Sequence, residues 1–400
     1  MDARADRLRV GALQAAAALV VPLAIVNGVL PLFALAGLCA IAALAMARDW
    51  RRVPRGPAIV ALALLAWAGL SLLWAIDPGH SVKSWATLAL YTGGGLCLLT
   101  AADSLDRAGR ARVGTALLAG VVATLLVLTV EGVPRFLGWT HTPQRLVLEA
   151  LGMRFFPHKL NRTAALVAIA VWPAAAVLAQ RHGWRRAWLL PAWAIAILPM
   201  LDSMAALLAL ACALPVAILA AWRAAVLRIV LCAAIAAGVA VMPALPNWGP
   251  FHERFTARTI SGSIWHRAEI WSFAAMRIAE RPILGWGLDT ARAMPGGNDQ
   301  IQPGVGRMPL HPHNGVLQLW LELGALGAAL GAAAAVLAAR RASAPDLDRA
   351  ARIGMAAALA AALAVLMTGY GVWQAWWMGA LWMIAAASRT LAPPRDTGRA

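Results

Sequence analysis

"HPHNGVLQLWLELGALG", residues 311–327, opens an apolar run that continues to residue 339 and ends on the arginine pair 340–341. A run of about 20 apolar residues crosses a bilayer as a helix. This one carries His311, His313 and Asn314 at its mouth and Gln318 and Glu322 inside it. Polar groups are costly in hydrocarbon and usually serve a function there. The stretch therefore reads as a membrane helix whose mouth is equipped for chemistry.

Similar runs recur along all 400 residues, of which 61% are hydrophobic and 13% charged. Soluble domains are about 25% charged, so the chain reads as an all-α polytopic membrane protein. A β-barrel would alternate polar and apolar residues, and that pattern is absent. About twelve spans are expected, near 10–27, 30–47, 57–76, 84–102, 113–131, 163–180, 187–201, 204–222, 225–245, 314–339, 353–370 and 372–388. The start resembles a signal peptide but lacks a small-residue cleavage site, so it reads as a retained first helix. All four cysteines lie within apolar runs, indicating neither a disulfide nor a zinc site.

The net charge of +17 is topological rather than a nucleic-acid surface. The short connections 48–55, 103–112, 181–186 and 340–352 and the tail are rich in arginine and fall on one side. The turns "NG", "DPGHSVK" and "DS" fall on the other and hold almost no Lys or Arg. The positive-inside rule places the basic side and both termini in the cytoplasm. Three regions follow: spans one to nine in 1–245, an outer loop 246–312, and the last three spans with a cytoplasmic tail in 313–400.

The outer segments 132–162 and 246–312 are also arginine-rich. Either these are solvated loops, which cross regardless of charge, or they line a cavity for an anion that guanidinium forks can grip. In the second loop, "SGSIWHRAEIWSFAAMRIAERPILGWG" reads as an amphipathic helix from Ser263, ended by Pro282 and a Gly285/Gly287 turn. Arg267 shares the apolar face of Trp271, Ala274, Ala275 and Ile278, whereas Arg277 and Arg281 point elsewhere. Arg267 can also simply snorkel or stack on Trp271.

His313 is the candidate base, because imidazole titrates near neutrality. The adjoining helix N-terminus would favour an approaching anion and keep the ring neutral. His311, farther from the helix start, is the weaker candidate. Asn314, Gln318 and Glu322 form one stripe down the helix, and Glu322 reads as a packing group. A histidine with arginines and no carboxylate cluster points to group transfer from a phosphate leaving group without a metal. Asp346 and Asp348, beside Arg349, read as the start of the next helix rather than a metal pair. A secondary transporter remains the alternative from another class, kept open by spans containing Pro173, Pro191, Pro199 and Pro215.

His313-Asn314, nine residues, then Gly324-Ala325-Leu326-Gly327 resembles the signature of the bacterial O-antigen ligases. Their superfamily also holds O-antigen polymerases and protein-glycosylating ligases. Arg267 with Trp271 and the following "RPILGWG" is similar to the arginine-bearing segment of that family's large periplasmic loop. "SLLWAIDPGHS", 71–81, is similar to a segment near its third helix. The resemblance implies a membrane-type, GT-C-like glycosyltransferase of the bacterial inner membrane with a periplasmic site. It would transfer O-antigen polysaccharide from undecaprenyl diphosphate to lipid A–core oligosaccharide, without cofactor or metal. His313 would be the base, and Arg267 and a second arginine, here Arg162, would hold the diphosphate. Arg154, Arg145, Lys159, Asn314, His311 and Gln318 are the further substrate-binding candidates. Polymerase and protein-glycosylating ligase stay open as readings within the superfamily.

Overall fold

The computed structural model describes residues 3–24, 53–139, 142–150, 160–201, 203–256 and 262–394. The expected span 30–47 and the candidates Arg154 and Lys159 lie outside these residues. The long helices are α1 (Ala3–Leu19), α2 (Arg55–Leu70), α3 (Pro78–Ser104), α4 (Arg107–Phe136) and, after the short α5 (Pro143–Ala150), α6 (Leu160–His182). A short α7 (Leu189–Ile197) precedes α8 (Met204–Trp222) and α9 (Ala224–Val241). Then come α10 (Gly249–Thr256), α11 (Gly262–Glu280), a hairpin of β1 (Gln300–Gln302) and β2 (Val305–Gly306), α12 (Gly315–Ala342), α13 (Arg349–Thr368) and α14 (Ala375–Arg389). Among the described residues eight helices are long and apolar enough to cross a membrane: α2 with its 3-10 extension, α3, α4, α6, α8, α9, α12 and α13. This is a polytopic helical membrane protein.

Several helices run past the apolar spans read from the sequence, because their polar ends are capped. Asp77 accepts from the His80 backbone N–H at 3.1 Å and Asp106 from that of Gly109 at 2.7 Å, each supplying a helix-start donor with its acceptor. Asp348 caps α13 through the Ala351 N–H at 2.7 Å, the role the sequence suggests for it.

α6 is the central post, buried almost continuously from Thr163 to Val177. Its alanines let α8 and α13 approach closely, as small residues do where helices pack without a hydrophobic driving force. A Cβ on Gly354 would lie 2.6 Å from the Ala176 Cβ, so that crossing admits glycine alone.

The basic connections gather at one end of the bundle. Arg110 donates to the carbonyls of Asp103, Leu105, Arg389 and Ala392, and Arg389 pairs with Asp103. Arg352 bonds the Ala220 carbonyl at 2.9 Å and Arg228 that of Ser343 at 2.9 Å. These guanidinium groups satisfy carbonyls at helix C-termini, where positive charge is favourable.

The expected uniform helix over 314–339 is interrupted. Gly324 stands at φ 64°, ψ −162°, outside helical geometry. The stretch 282–287, expected only as the turn that ends the amphipathic helix, crosses α12 at this break. A Cβ on Gly324 would sit 2.1 Å from the Ile283 carbonyl oxygen. The break frees backbone groups that a membrane interior cannot leave unpaired, and the crossing strand supplies partners. Trp286 N–H donates to the Leu321 carbonyl at 2.9 Å, Gly287 N–H to that of Glu322 at 2.8 Å, and Ala325 N–H to that of Pro282 at 2.8 Å. The Trp67 indole takes the Leu323 carbonyl at 2.8 Å. Trp286, Leu288, Asp289, Thr290 and Ala291 are accordingly buried.

Candidate functional site

At the end of the bundle opposite the basic connections, the start of α12 meets α11, the end of α13 and the start of α14. The Trp271 indole on α11 donates to the Pro312 carbonyl at 2.9 Å, fastening the histidine turn to the helix that carries Arg267. His313 has φ 54°, a left-handed conformation that costs about 1–3 kcal/mol and must be held by its surroundings. His311 supplies one hold: its Nδ1 accepts the His313 backbone N–H at 3.1 Å. Asn314 caps α12, accepting from the N–H groups of Val316 at 3.1 Å and Leu317 at 3.0 Å.

The His313 ring is set by the segment between the last two helices. Its Nδ1 lies 2.8 Å from the Gly369 carbonyl. A carbonyl only accepts, so Nδ1 carries the proton and the neutral ring leaves the Nε2 lone pair unprotonated. Burial lowers the His313 pKa, the Gly369 hydrogen bond partly offsets that, and Arg267 and His266 lower it further. His311 is pushed down to about 3, chiefly by burial and then by His313 and Arg292. Both rings are therefore neutral at pH 7. Arg267 is partly buried, which lowers its pKa, and it remains cationic.

Arg162, at the start of α6, joins the site from the far side of the same segment. Its guanidinium carbon lies 5.1 Å from the centre of the Trp376 ring, and Tyr370 packs edge-on against Trp376 at 4.6 Å. Gln374 reaches the His311 Nε2 at 3.2 Å. Residues 369–376 thus link Arg162, His311 and His313. The fold brings Arg267, His313, His311, Asn314 and Gln318 around one helix start, with Arg162 reaching it only through the 369–376 segment. The polar atoms of Asn314 and Gln318 meet protein partners, Gln318 donating to Glu322 at 3.1 Å and accepting from Val372 N–H at 2.9 Å. Arg145 lies on α5, paired with Glu149 at 2.7 Å.

Two features escaped the sequence reading. One is the segment "GYGVWQAWW", 369–377, whose signal is a glycine-framed polar and aromatic turn between two spans. The other is a cluster around Asp289, itself at φ 54°. Its carboxylate accepts from Ser84 at 2.6 Å and contacts the His80 Nε2 at 2.8 Å. The stretch 71–81 forms the cradle: Ser71 accepts the Leu288 N–H at 3.1 Å, and Ser81 donates to the Leu288 carbonyl at 2.5 Å.

The chain matches the family described as O-Antigen ligase over residues 189–332, a range containing Arg267, His313, Gly324 and Gly327. Its relatives include proteins named "Putative polysaccharide ligase". That of Rickettsia conorii is 24% identical over 359 residues, covering 86% of this chain and 82% of the relative. That of Rickettsia felis is 25% identical over 275 residues, 66% and 64% of the two chains. The Rickettsia prowazekii protein is 23% identical over 344 residues, 83% and 80%. Over residues 189–332 the chain is thus similar to the O-antigen ligase family, and over most of its length to proteins named as polysaccharide ligases.

Proposed function

We propose that the protein is an O-antigen ligase of GT-C-like architecture in the bacterial inner membrane. It transfers O-antigen polysaccharide from undecaprenyl diphosphate to a hydroxyl of lipid A–core oligosaccharide at the periplasmic end of the bundle. The observation that carries the reading is the His313 ring: neutral, with its proton on Nδ1 toward Gly369 and its Nε2 lone pair left as acceptor, close to Arg267. A sugar hydroxyl is a weak nucleophile, and a positioned base contributes about 10²–10⁴-fold. In the transfer His313 Nε2 takes the acceptor hydroxyl proton, and the oxygen bonds to the anomeric carbon of the donor glycan. The bond from that carbon to the diphosphate breaks, and undecaprenyl diphosphate leaves with the electron pair. Arg267 and Arg162 meet the charge growing on that leaving group, the role that preorganised cations play in transition states. His311 and Asn314 hold the backbone that presents His313.

The family match and the polysaccharide ligase names of the relatives support ligation among the reactions of the superfamily. The decisive experiment is deletion in the native bacterium followed by gel analysis of lipopolysaccharide. Core without O-antigen, with undecaprenyl-linked polymer accumulating, is the expected result. A single O-unit on the core would make the protein a polymerase. Unaltered lipopolysaccharide would overturn both.

A further inference from the structure

Glu322 is fully buried inside α12, nine residues beyond His313, a rise of about 13 Å along a helix. Four donors converge on it. Its Oε2 accepts the Asp289 backbone N–H at 2.7 Å and the Trp373 indole N–H. Its Oε1 accepts the Gln318 side-chain amide at 3.1 Å and the Ala291 backbone N–H at 3.3 Å. Every contact is a donor, so the group acts purely as an acceptor with all its positions used. A side chain serving only helix packing would bond to neighbouring helices. Three of the four donors come instead from the two irregular segments that frame the site, and the fourth, Gln318, from one turn earlier in α12.

One segment is 287–291, which continues directly from the stretch 282–287 that crosses the break at Gly324. The other is 369–374, whose Gly369 carbonyl fixes the His313 tautomer and whose Gln374 meets His311. Gln318 extends the connection by accepting the Val372 N–H at 2.9 Å. The fit of this segment is close, since a Cβ on Gly371 would lie 3.0 Å from the His311 ring and 3.3 Å from Gln318 Oε1. Moving Trp373 therefore moves the backbone that carries the Gly369 acceptor.

We propose that Glu322 is a positioning residue for transfer: it touches no substrate and sets the orientation of His313 through Trp373 and the 369–374 segment. The inference rests on His313 being the base. A misplacement of about 1 Å at a reacting group can cost 10²-fold in rate, so the effect falls on kcat rather than on donor binding.

The test uses the full-length protein in nanodiscs, with undecaprenyl-diphosphate-linked glycan as donor and lipid A–core as acceptor. Glu322→Gln keeps the size and one acceptor oxygen but turns an amide donor toward an existing donor. Its kcat should fall about 10- to 100-fold, with donor KM within about threefold and unchanged assembly by size exclusion. Adding Trp373→Phe removes one of the opposed donors, so the double variant should recover part of kcat, a non-additivity expected only of coupled groups. Should Glu322→Gln fail to fold, Trp373→Phe alone reads the same link and should lower kcat with donor KM unchanged. Near-native kcat in whichever of these variants folds would overturn the proposal, as would kcat and KM worsening together without rescue. His313→Ala in the same assay separates the two readings. If it keeps transfer the base assignment fails, and if it alone abolishes transfer only the Glu322 role fails.

Discussion

The Nδ1 of His313 and the carbonyl oxygen of Gly369 lie 2.8 Å apart although 56 residues separate them. This one bond fixes which ring nitrogen carries the proton and so which can act as a base. It also makes the turn between α13 and α14 part of the site. His313→Ala should lower transfer by about 10²–10⁴-fold while the protein still binds the undecaprenyl donor in a pull-down with labelled lipid.

The pH dependence has a definite sign. Burial holds the His313 pKa below the usual 6.5, so the ring is already neutral at pH 7 and stays so somewhat below 6.5. The acid limb of kcat/KM in the free enzyme should therefore fall below 6.5, with no loss of rate between pH 7 and 8. An acid limb above pH 7 would remove His313 as the base.

His311 contributes to acid sensitivity of the fold. Its folded pKa is about 3 against an ordinary 6.5, so between those values the unfolded chain binds a proton that the folded protein refuses. Stability is complete above pH 6.5 and falls on acidification by on the order of 1 kcal/mol per pH unit through that window. His311→Asn keeps an acceptor for the His313 N–H and removes the titration. It should flatten the pH dependence of the melting temperature and retain more activity than His311→Ala, which frees the positive-φ backbone.

The arginines are distinguishable. Arg267→Ala should lower transfer about 10²–10³-fold, as loss of a preorganised stabilising donor does, and Arg267→Lys should rescue poorly because a point charge cannot replace a planar fork. Arg277, paired with Glu280 at 2.7 Å and stacked on the Phe273 ring at 5.3 Å on the same helix, should keep transfer near native when replaced by alanine. Equal sensitivity in a glycan-transfer assay would mean that the helix face does not select.

Gly324→Ala should abolish activity and lower the melting temperature sharply, because φ is 64° and the new Cβ would lie 2.1 Å from the Ile283 carbonyl. Gly331→Ala, whose Cβ would meet only the flexible end of Leu319 at 2.5 Å, should be tolerated. Thermal melts of the two variants in detergent decide it.

The sequence by itself determined the membrane class, most of the spans and the end of the bundle on which the histidines lie. Those follow from local quantities, namely apolar length, arginine placement and a polar helix mouth. It also marked Arg267 by its helix face and His313 by its helix mouth, and the family resemblance added Gly324 and Gly327. Only the tertiary structure decided what they meet. Nothing local in "GALG" says that its first glycine opens α12 so that 282–287 can cross, since the clash it avoids belongs to a carbonyl 41 residues upstream. Glu322 reads as a packing group until donors from 287–291 and 369–374 are seen on it. The His313 tautomer likewise depends on a carbonyl brought from another helix end. Hydrogen bonds are directional and form between groups remote in sequence, whereas hydropathy and charge sum locally, so the spans and the basic end of the bundle are legible in one dimension and the site is not.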